Sequence, residues 1–410
     1  MHQQNTRTTP AGQPADSTRV SLFAAVWQHI ARSKAPVSGQ QDGGEAALGT
    51  HCETTQPLDR WRLLDQARKL LPGESVARCY VALLVQAVQV TIKRWFDQDG
   101  KARVGFGGLV TCGSIWHCPV CAAKIAKRRR ADLAQGLENA KAQGLHVYLL
   151  TQTVRHGAGM SLGRMADCFQ DARRRFRNRQ AWRAFKARDG FALTVCSKEV
   201  TCGGENGWHY HAHELLFTRQ PLTAKDEATL KAAWVKALKT AFPGMKATKA
   251  DLEHGLTIQG GENAGDYVSK WGLEHELAGA GKAGRDGNLT PWGLLALAAD
   301  GCEEAGMLFQ EYAAAMRGRQ HLKWDKGLRE ALGLGAMGTD EELAAEAEGE
   351  PEEVLATIDA PAWATIVALR MRGAVLAAFS IGVEEGRAVL AAVVEGDRRP
   401  GPTPPERGRT

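Results

Sequence analysis

The segment Trp208-His209-Tyr210-His211-Ala212-His213-Glu214-Leu215-Leu216-Phe217 constrains this chain more than any other. Alternate residues of a β-strand face the same side, so a strand here projects His209, His211 and His213 together. Neutral imidazoles a few ångströms apart are good ligands for a divalent ion, and a carboxylate commonly completes such a site. The stretch Phe191 to Thr201 also reads as a strand. Gly203-Gly204-Glu205-Asn206-Gly207 between the two is a hairpin-type connection. Paired in this way, Glu199 reaches the histidine face, and three ligands leave positions open for a substrate phosphate oxygen. The plainer readings are a row of surface histidines or a purely structural zinc. A lone histidine such as His146 or His254 carries no such implication.

A second cluster is Cys112-Gly-Ser-Ile-Trp-His-Cys118-Pro-Val-Cys121. Its C-x2-C half is a zinc-knuckle spacing, in which a tight turn lets two thiolates face one ion. Cys112, Cys118 and Cys121 need a fourth ligand. Cys79, His117, Cys202 and His146 all remain open, and the alternative is a set of buried free thiols. No thioredoxin-like βαβ context surrounds the motif, which disfavours a redox role.

Charge is concentrated in the middle of the chain. Residues 101–190 hold eighteen Lys/Arg against five Asp/Glu, while the whole chain of 410 residues carries a formal +6. Such a basic stretch points to a polyanion, most commonly nucleic acid. Lys124, Lys127, Arg128, Arg129 and Arg130 lie on a helix expected over 122–143. Arg173, Arg174, Arg175 and Arg177 lie on another expected over 161–186. Both are candidate phosphate contacts, with a solvated helix face as the bland alternative. No apolar run reaches the ~18 residues that span a membrane, and residues 1–16 lack the apolar core of a signal peptide. The expectation is a cytoplasmic protein with reduced thiols, whose clustered cysteines bind metal.

The order of elements along the chain suits an α+β fold built on an antiparallel sheet. Strands are expected over 145–154, 191–201, 208–217 and 252–259, with helices over 223–241 and 263–275 and a mostly helical stretch over 290–335. The domain reading is a disordered N-terminus and linker (1–57), a helical and cysteine-rich segment (58–143), a core (144–278), a helical extension (279–338) and an acidic helical C-terminal module with a loose tail (339–410). Thr339 with Glu342 forms a capping-box pattern at the start of that module. Gly333-Leu-Gly335-Ala-Met-Gly338 matches a dinucleotide fingerprint but lacks the strand before it. Gly281-Lys282 is not a phosphate-binding loop, so no nucleotide-hydrolysis motor is visible.

One more segment bears on chemistry. In Asp266-Tyr267-Val268-Ser269-Lys270-Trp271, a helix puts Tyr267 and Lys270 on one face. A phenol with a pKa near 10 is a poor nucleophile at neutral pH. A neighbouring ammonium favours the phenolate, which suits phosphoryl transfer through a phosphotyrosine. Alone, Tyr-x-x-Lys is usually an ordinary amphipathic helix, and its weight comes from its place after the histidine strand.

Taken in order, CGSIWHCPVC with its basic helix, LLTQTVRHG, KEVTCGGENGWHYHAHELLF and DYVSKW resemble the rolling-circle plasmid replication initiators (Rep) of the HUH endonuclease superfamily. The resemblance spans about residues 75–345. It implies an antiparallel-sheet HUH endonuclease domain with helices packed on it. It implies Mg or Mn on His211 and His213, with Glu199 as the acidic ligand and His209 as an additional family histidine. Tyr267 matches the nucleophile and Lys270 the lysine after it. Cleavage would leave a 5′-phosphotyrosine and a free 3′-OH for a DNA polymerase, with a host helicase opening the duplex. Origin DNA and single-stranded DNA are the implied partners, and zinc the implied occupant of the cysteines. Some relatives keep a glutamate four residues before the tyrosine. Asn263 stands there in this chain, and Glu262 or Asp266 are the nearby carboxylates.

Two alternatives remain open. One is an HUH relaxase or transposase, although mobilisation relaxases usually place the tyrosine before the histidines. The other is a zinc-dependent DNA-binding regulator that cuts nothing.

Overall fold

The computed structural model describes residues 17–33, 57–96, 100–204, 206–260, 288–345 and 353–397. Its strands are β1 (Val90–Phe96), β2 (Ala102–Gly107), β3 (His146–Gln152), β4 (Leu193–Gly203), β5 (Gly207–Thr218), β6 (Leu256–Gly260), β7 (Leu322–Trp324) and β8 (Glu353–Ile358). The helices are α1 (Ser17–Ser33), α2 (Pro57–Leu70), α3 (Pro119–Ala142), α4 (Leu162–Asn178), α5 (Gln180–Asp189), α6 (Ala224–Ala241), α7 (Lys249–His254), α8 (Pro291–Ala299), α9 (Glu303–Met316), α10 (Leu328–Ala331), α11 (Asp340–Ala345), α12 (Ala360–Ala368), α13 (Arg372–Ile381) and α14 (Val383–Asp397). The chain forms two compact units. One draws on residues 1–53 and 126–337, the other on 54–125 and 338–410.

The first unit is α+β, built on a five-stranded sheet of order β6-β3-β5-β4-β7 in which every pairing is antiparallel. The histidine strand β5 is therefore central. Its long hairpin with β4 pairs Gly203 with Gly207 at the turn and Leu193 with Phe217 at the far end. Gly207 has φ +68°, and a Cβ there would lie 2.6 Å from Ala158 Cα, so the turn requires glycine.

Strand alternation gives the sheet two different faces. Trp208, Tyr210, Ala212 and Leu216 point to one side and are buried. There Phe169 of α4 meets Tyr210 at 5.1 Å and Trp234 of α6 at 5.5 Å between ring centroids. On the opposite side Leu133 and Ala140 of α3 close over Leu149, Val195, Leu215, Phe217, Leu322, Leu328 and Leu332. That cluster occupies the end of the face where β5 finishes. Polar residues hold the other end, where β5 begins.

The second unit carries a three-stranded antiparallel sheet, β2-β1-β8. Trp61, Tyr80, Phe106 and Trp363 form an edge-to-face chain against it, with centroids 4.9–5.7 Å apart. Arg372 is fully buried, bonded to Asp65 and donating to the Tyr80 carbonyl oxygen at 3.0 Å.

Several elements differ from sequence expectation. The helix expected over 161–186 is two helices, because Arg179 takes extended backbone angles. Residues 249–254 form helix α7 before β6 begins. Strand β7 interrupts the stretch read as helical over 290–335. β8 lies within the C-terminal segment expected to be helical, where it gains a ladder from β1. The capping box at Thr339 is present, with both reciprocal bonds to Glu342. Among the described residues no single helix is long and apolar enough to cross a membrane.

Candidate functional site

The register of β4 on β5 sets Glu199 directly opposite His211, and Ser197 opposite His213. Both imidazoles turn Nε2 toward one carboxylate oxygen. His211 Nε2 lies 2.9 Å and His213 Nε2 3.1 Å from Glu199 Oε2. Adjacent positions of an octahedral ion with bonds of about 2.1 Å stand about 3.0 Å apart. The three groups therefore fit one divalent ion, with their ligand atoms all within 4.8 Å of one another. Two histidines and a carboxylate on one side leave the remaining positions open.

The surroundings keep these ligands in place. From β3, Thr151 stands opposite His213, and its Oγ1 is 3.1 Å from His213 Nδ1. The tautomer that donates to Thr151 leaves the Nε2 lone pair facing Glu199. His211 Nδ1 is buried without a hydrogen-bond partner, a stability cost of about 1–3 kcal/mol at a residue that is only 8% exposed. Burial raises the Glu199 carboxyl, but the two imidazoles outweigh it and hold the group well below the usual carboxylate range. Burial lowers His213 more than acceptance of its hydrogen bond by the Glu199 carboxylate raises it, which favours the neutral, ligating form.

His209 shares this face but is not one of the three converging groups. Its ring lies 4.7 Å from that of His211 and stacks on His156 at 4.9 Å. His156 Nδ1 in turn donates to the Asn206 carbonyl oxygen at 2.7 Å. Burial first, then the neighbouring imidazoles, push His209 down to about 3.

In the second unit Cys79 joins Cys112, Cys118 and Cys121. Of the four residues left open as a fourth ligand, Cys79 is the one the fold supplies. Sulfur separations are 3.6 Å for Cys79–Cys118, 3.5 Å for Cys79–Cys121 and 3.7 Å for Cys112–Cys121. The edge of a tetrahedron with 2.3 Å metal–sulfur bonds is about 3.8 Å, so the four thiols fit a single tetrahedral ion.

The basic residues divide. Arg173 and Arg177 turn inward to Glu214, which is fully buried on the side of the sheet away from the histidines. Arg173 Nε also donates to Gln152 Oε1 at 2.7 Å, and Arg177 pairs with Asp325 at 3.2 Å. Both guanidinium groups neutralise carboxylates inside the fold. Helical spacing carried the signal: they follow the buried Phe169, Ala172 and Phe176 by one or four positions. Arg129 is likewise buried, 3.4 Å from His321 Nδ1. Arg174 and Arg175 are exposed and pair with Asp171. Lys127 and Arg128 are exposed and Arg130 half-buried, while Lys124 donates to the Ala344 carbonyl at 3.0 Å. Tyr267, Lys270 and Glu262, with the expected helix over 263–275, lie outside the described residues.

Comparison with known proteins adds two relatives. The chain is 27% identical over 317 residues to a Streptomyces lividans protein named Protein rep, a match covering 59% of this chain and 69% of that one. It is 29% identical over 133 residues to a Streptomyces cyanogenus protein named Neomycin resistance protein, covering 27% of this chain and 30% of the relative. No family model matches, and neither does any solved structure.

Proposed function

We propose that this protein initiates plasmid rolling-circle replication by nicking and rejoining one DNA strand at an origin. The observation that carries the reading is the convergence of Glu199, His211 and His213 on the central hairpin, in a chain similar to a protein named Protein rep. In this reading those three residues hold Mg or Mn. Such an ion, when bound, supplies positive charge to a scissile phosphate as negative charge develops on its oxygens.

The chain's own groups do the rest. Thr151 fixes the His213 ring, and the neighbouring His209–His156 stack walls one side of the site. Tyr267 is the nucleophile: its phenolate oxygen bonds to phosphorus, the bond to the 3′ oxygen breaks, and the released 3′ oxygen takes a proton. Lys270, three residues on, favours the phenolate over the phenol. The 5′-phosphotyrosine conserves the energy of the broken ester, so attack by a 3′-OH reverses the step and closes a circle. Glu262 is the carboxylate proposed to activate water when the intermediate must be hydrolysed instead. The 3′-OH left by nicking primes a host polymerase, and a helicase extends the opening. Zinc is the proposed occupant of the four cysteines, stabilising the second unit, with Lys127, Arg128, Arg130, Arg174 and Arg175 as DNA contacts.

The test is cleavage of single-stranded oligonucleotides tiled across the DNA flanking the gene, with Mg or Mn present. Wild type should cut one of them at a unique position. Tyr267→Phe should bind that oligonucleotide without cutting it, and His211→Ala with His213→Ala should not cut. Binding of both metal and DNA without any cleavage by wild type would favour a non-catalytic regulator.

A further inference from the structure

Next to His156 lies a cleft of ≈700 Å³. It opens between the loop after β3, the first turns of α4 and the loop after α6. Its volume falls in the ~300–1,000 Å³ range of sites that take small organic molecules. Arg155, Arg164 and Lys246 line it together with Met160, Phe242 and Met245. All three cations are exposed. Arg155 shares its guanidinium with Asp251, at 3.6 Å, and with the Lys246 carbonyl oxygen, at 2.7 Å. Among the described residues neither Arg164 nor Lys246 has a carboxylate partner. The Asp251 carboxylate itself is already held by the Thr248 backbone N–H and hydroxyl, at 2.7 and 2.8 Å.

Only imidazole rings separate the cleft from the proposed active site. His156 lines it, and the His156 ring stacks on His209, which contacts His211. Two ring-to-ring contacts thus connect the cleft to a proposed metal ligand. Spread cations beside an apolar wall match a nucleotide within a strand, whose backbone is anionic and whose base offers a flat apolar face. A small inorganic anion would need convergent donors and would leave the methionine wall without a role.

We propose that this cleft takes one nucleotide of the single strand being nicked, adjacent to the scissile phosphate. Arg164 and Lys246 face its phosphates, and Met160, Met245 and Phe242 receive its base. The proposal rests on the strand-nicking reading for the position of the scissile phosphate. Its own evidence is the shape and lining of the cleft.

The experiment is equilibrium binding of a labelled single-stranded oligonucleotide to full-length Tyr267→Phe protein without added Mg or Mn, so that cleavage does not contribute and the zinc of the second unit stays in place. Arg164→Gln with Lys246→Gln should weaken binding and reduce the slope of log affinity against log salt by about 0.7 for each phosphate no longer neutralised. An abasic site walked along the oligonucleotide should cost about tenfold at a single position. In Met160→Ala/Met245→Ala protein, with an unchanged melting temperature, that position should become insensitive. Uniform sensitivity along the strand, or an unaltered salt slope, overturns the proposal. So does equally tight binding of a free mononucleotide at the cleft. Wild type that cuts normally while the cleft variants bind as before removes the cleft and leaves the nickase. A position-specific loss in a protein that never cuts removes the nickase and leaves the cleft.

Discussion

Replacing Thr151 with valine tests whether the hairpin face is a metal site with an organised periphery. Valine keeps the shape and β-propensity of threonine but removes Oγ1, the atom 3.1 Å from His213 Nδ1. One hydrogen bond between neutral groups contributes about 0.5–1.5 kcal/mol net, and a buried donor left behind costs about 1–3 kcal/mol. The His213 ring then turns more easily and loses its preference for the tautomer with an Nε2 lone pair toward Glu199. Groups that orient a ligating histidine in this way are typically worth 10–100-fold in metal affinity, or about 1.4–2.7 kcal/mol. Mn titrations followed by calorimetry should therefore show Thr151→Val binding at least tenfold more weakly than wild type. Melting of the metal-free proteins should differ by only a few degrees. Equal Mn affinity in the two proteins would refute the argument that Thr151 sets the His213 ring for an ion.

Three other perturbations separate scaffold from site. Glu214→Ala leaves Arg173 and Arg177 without their buried carboxylate and should cost about 3–5 kcal/mol in urea unfolding. Asp189 accepts from the backbone N–H groups of Phe191, Ala192, Arg219 and Gln220 at 2.8–3.3 Å, so Asp189→Ala should lose about 2–4 kcal/mol. Burial raises the Asp189 carboxyl, but those N–H donors outweigh it and set it below its ordinary value. Its contribution is thus present above the unfolded value of about 3.9 and is lost as pH falls through the lower folded value. Wild type and Asp189→Ala should therefore converge in stability as the pH drops below about 4. Cys79→Ser should lose the zinc of the second unit in elemental analysis, while Cys202→Ser keeps it.

How much the sequence disclosed follows from the range of each interaction. The β4–β5 hairpin was legible because its turn is local: once Gly203 faces Gly207, counting back sets Glu199 against His211. Period-two spacing then placed the histidines on one face. Cys79 was not legible, because a strand hairpin, β1–β2, intervenes between it and Cys112, and only tertiary packing brings the sulfurs together. The inward turn of Arg173 and Arg177 was half-legible. The apolar helix face was visible, but its buried partner Glu214 sits on a strand distant in sequence. The short strands β7 and β8 owe their conformation to ladders with β4 and β1, and nothing in their own few residues announces a strand.

The most direct measurement is mass spectrometry of the protein after it has cut a single-stranded origin oligonucleotide in Mn. One proteolytic peptide containing Tyr267 should be heavier by the 5′-phosphorylated nucleotides downstream of the nick, and His211→Ala should yield none. A nucleotide on any other residue, or a cut strand whose 5′ phosphate is bound to no residue at any time in the reaction, would contradict a Tyr267 nucleophile.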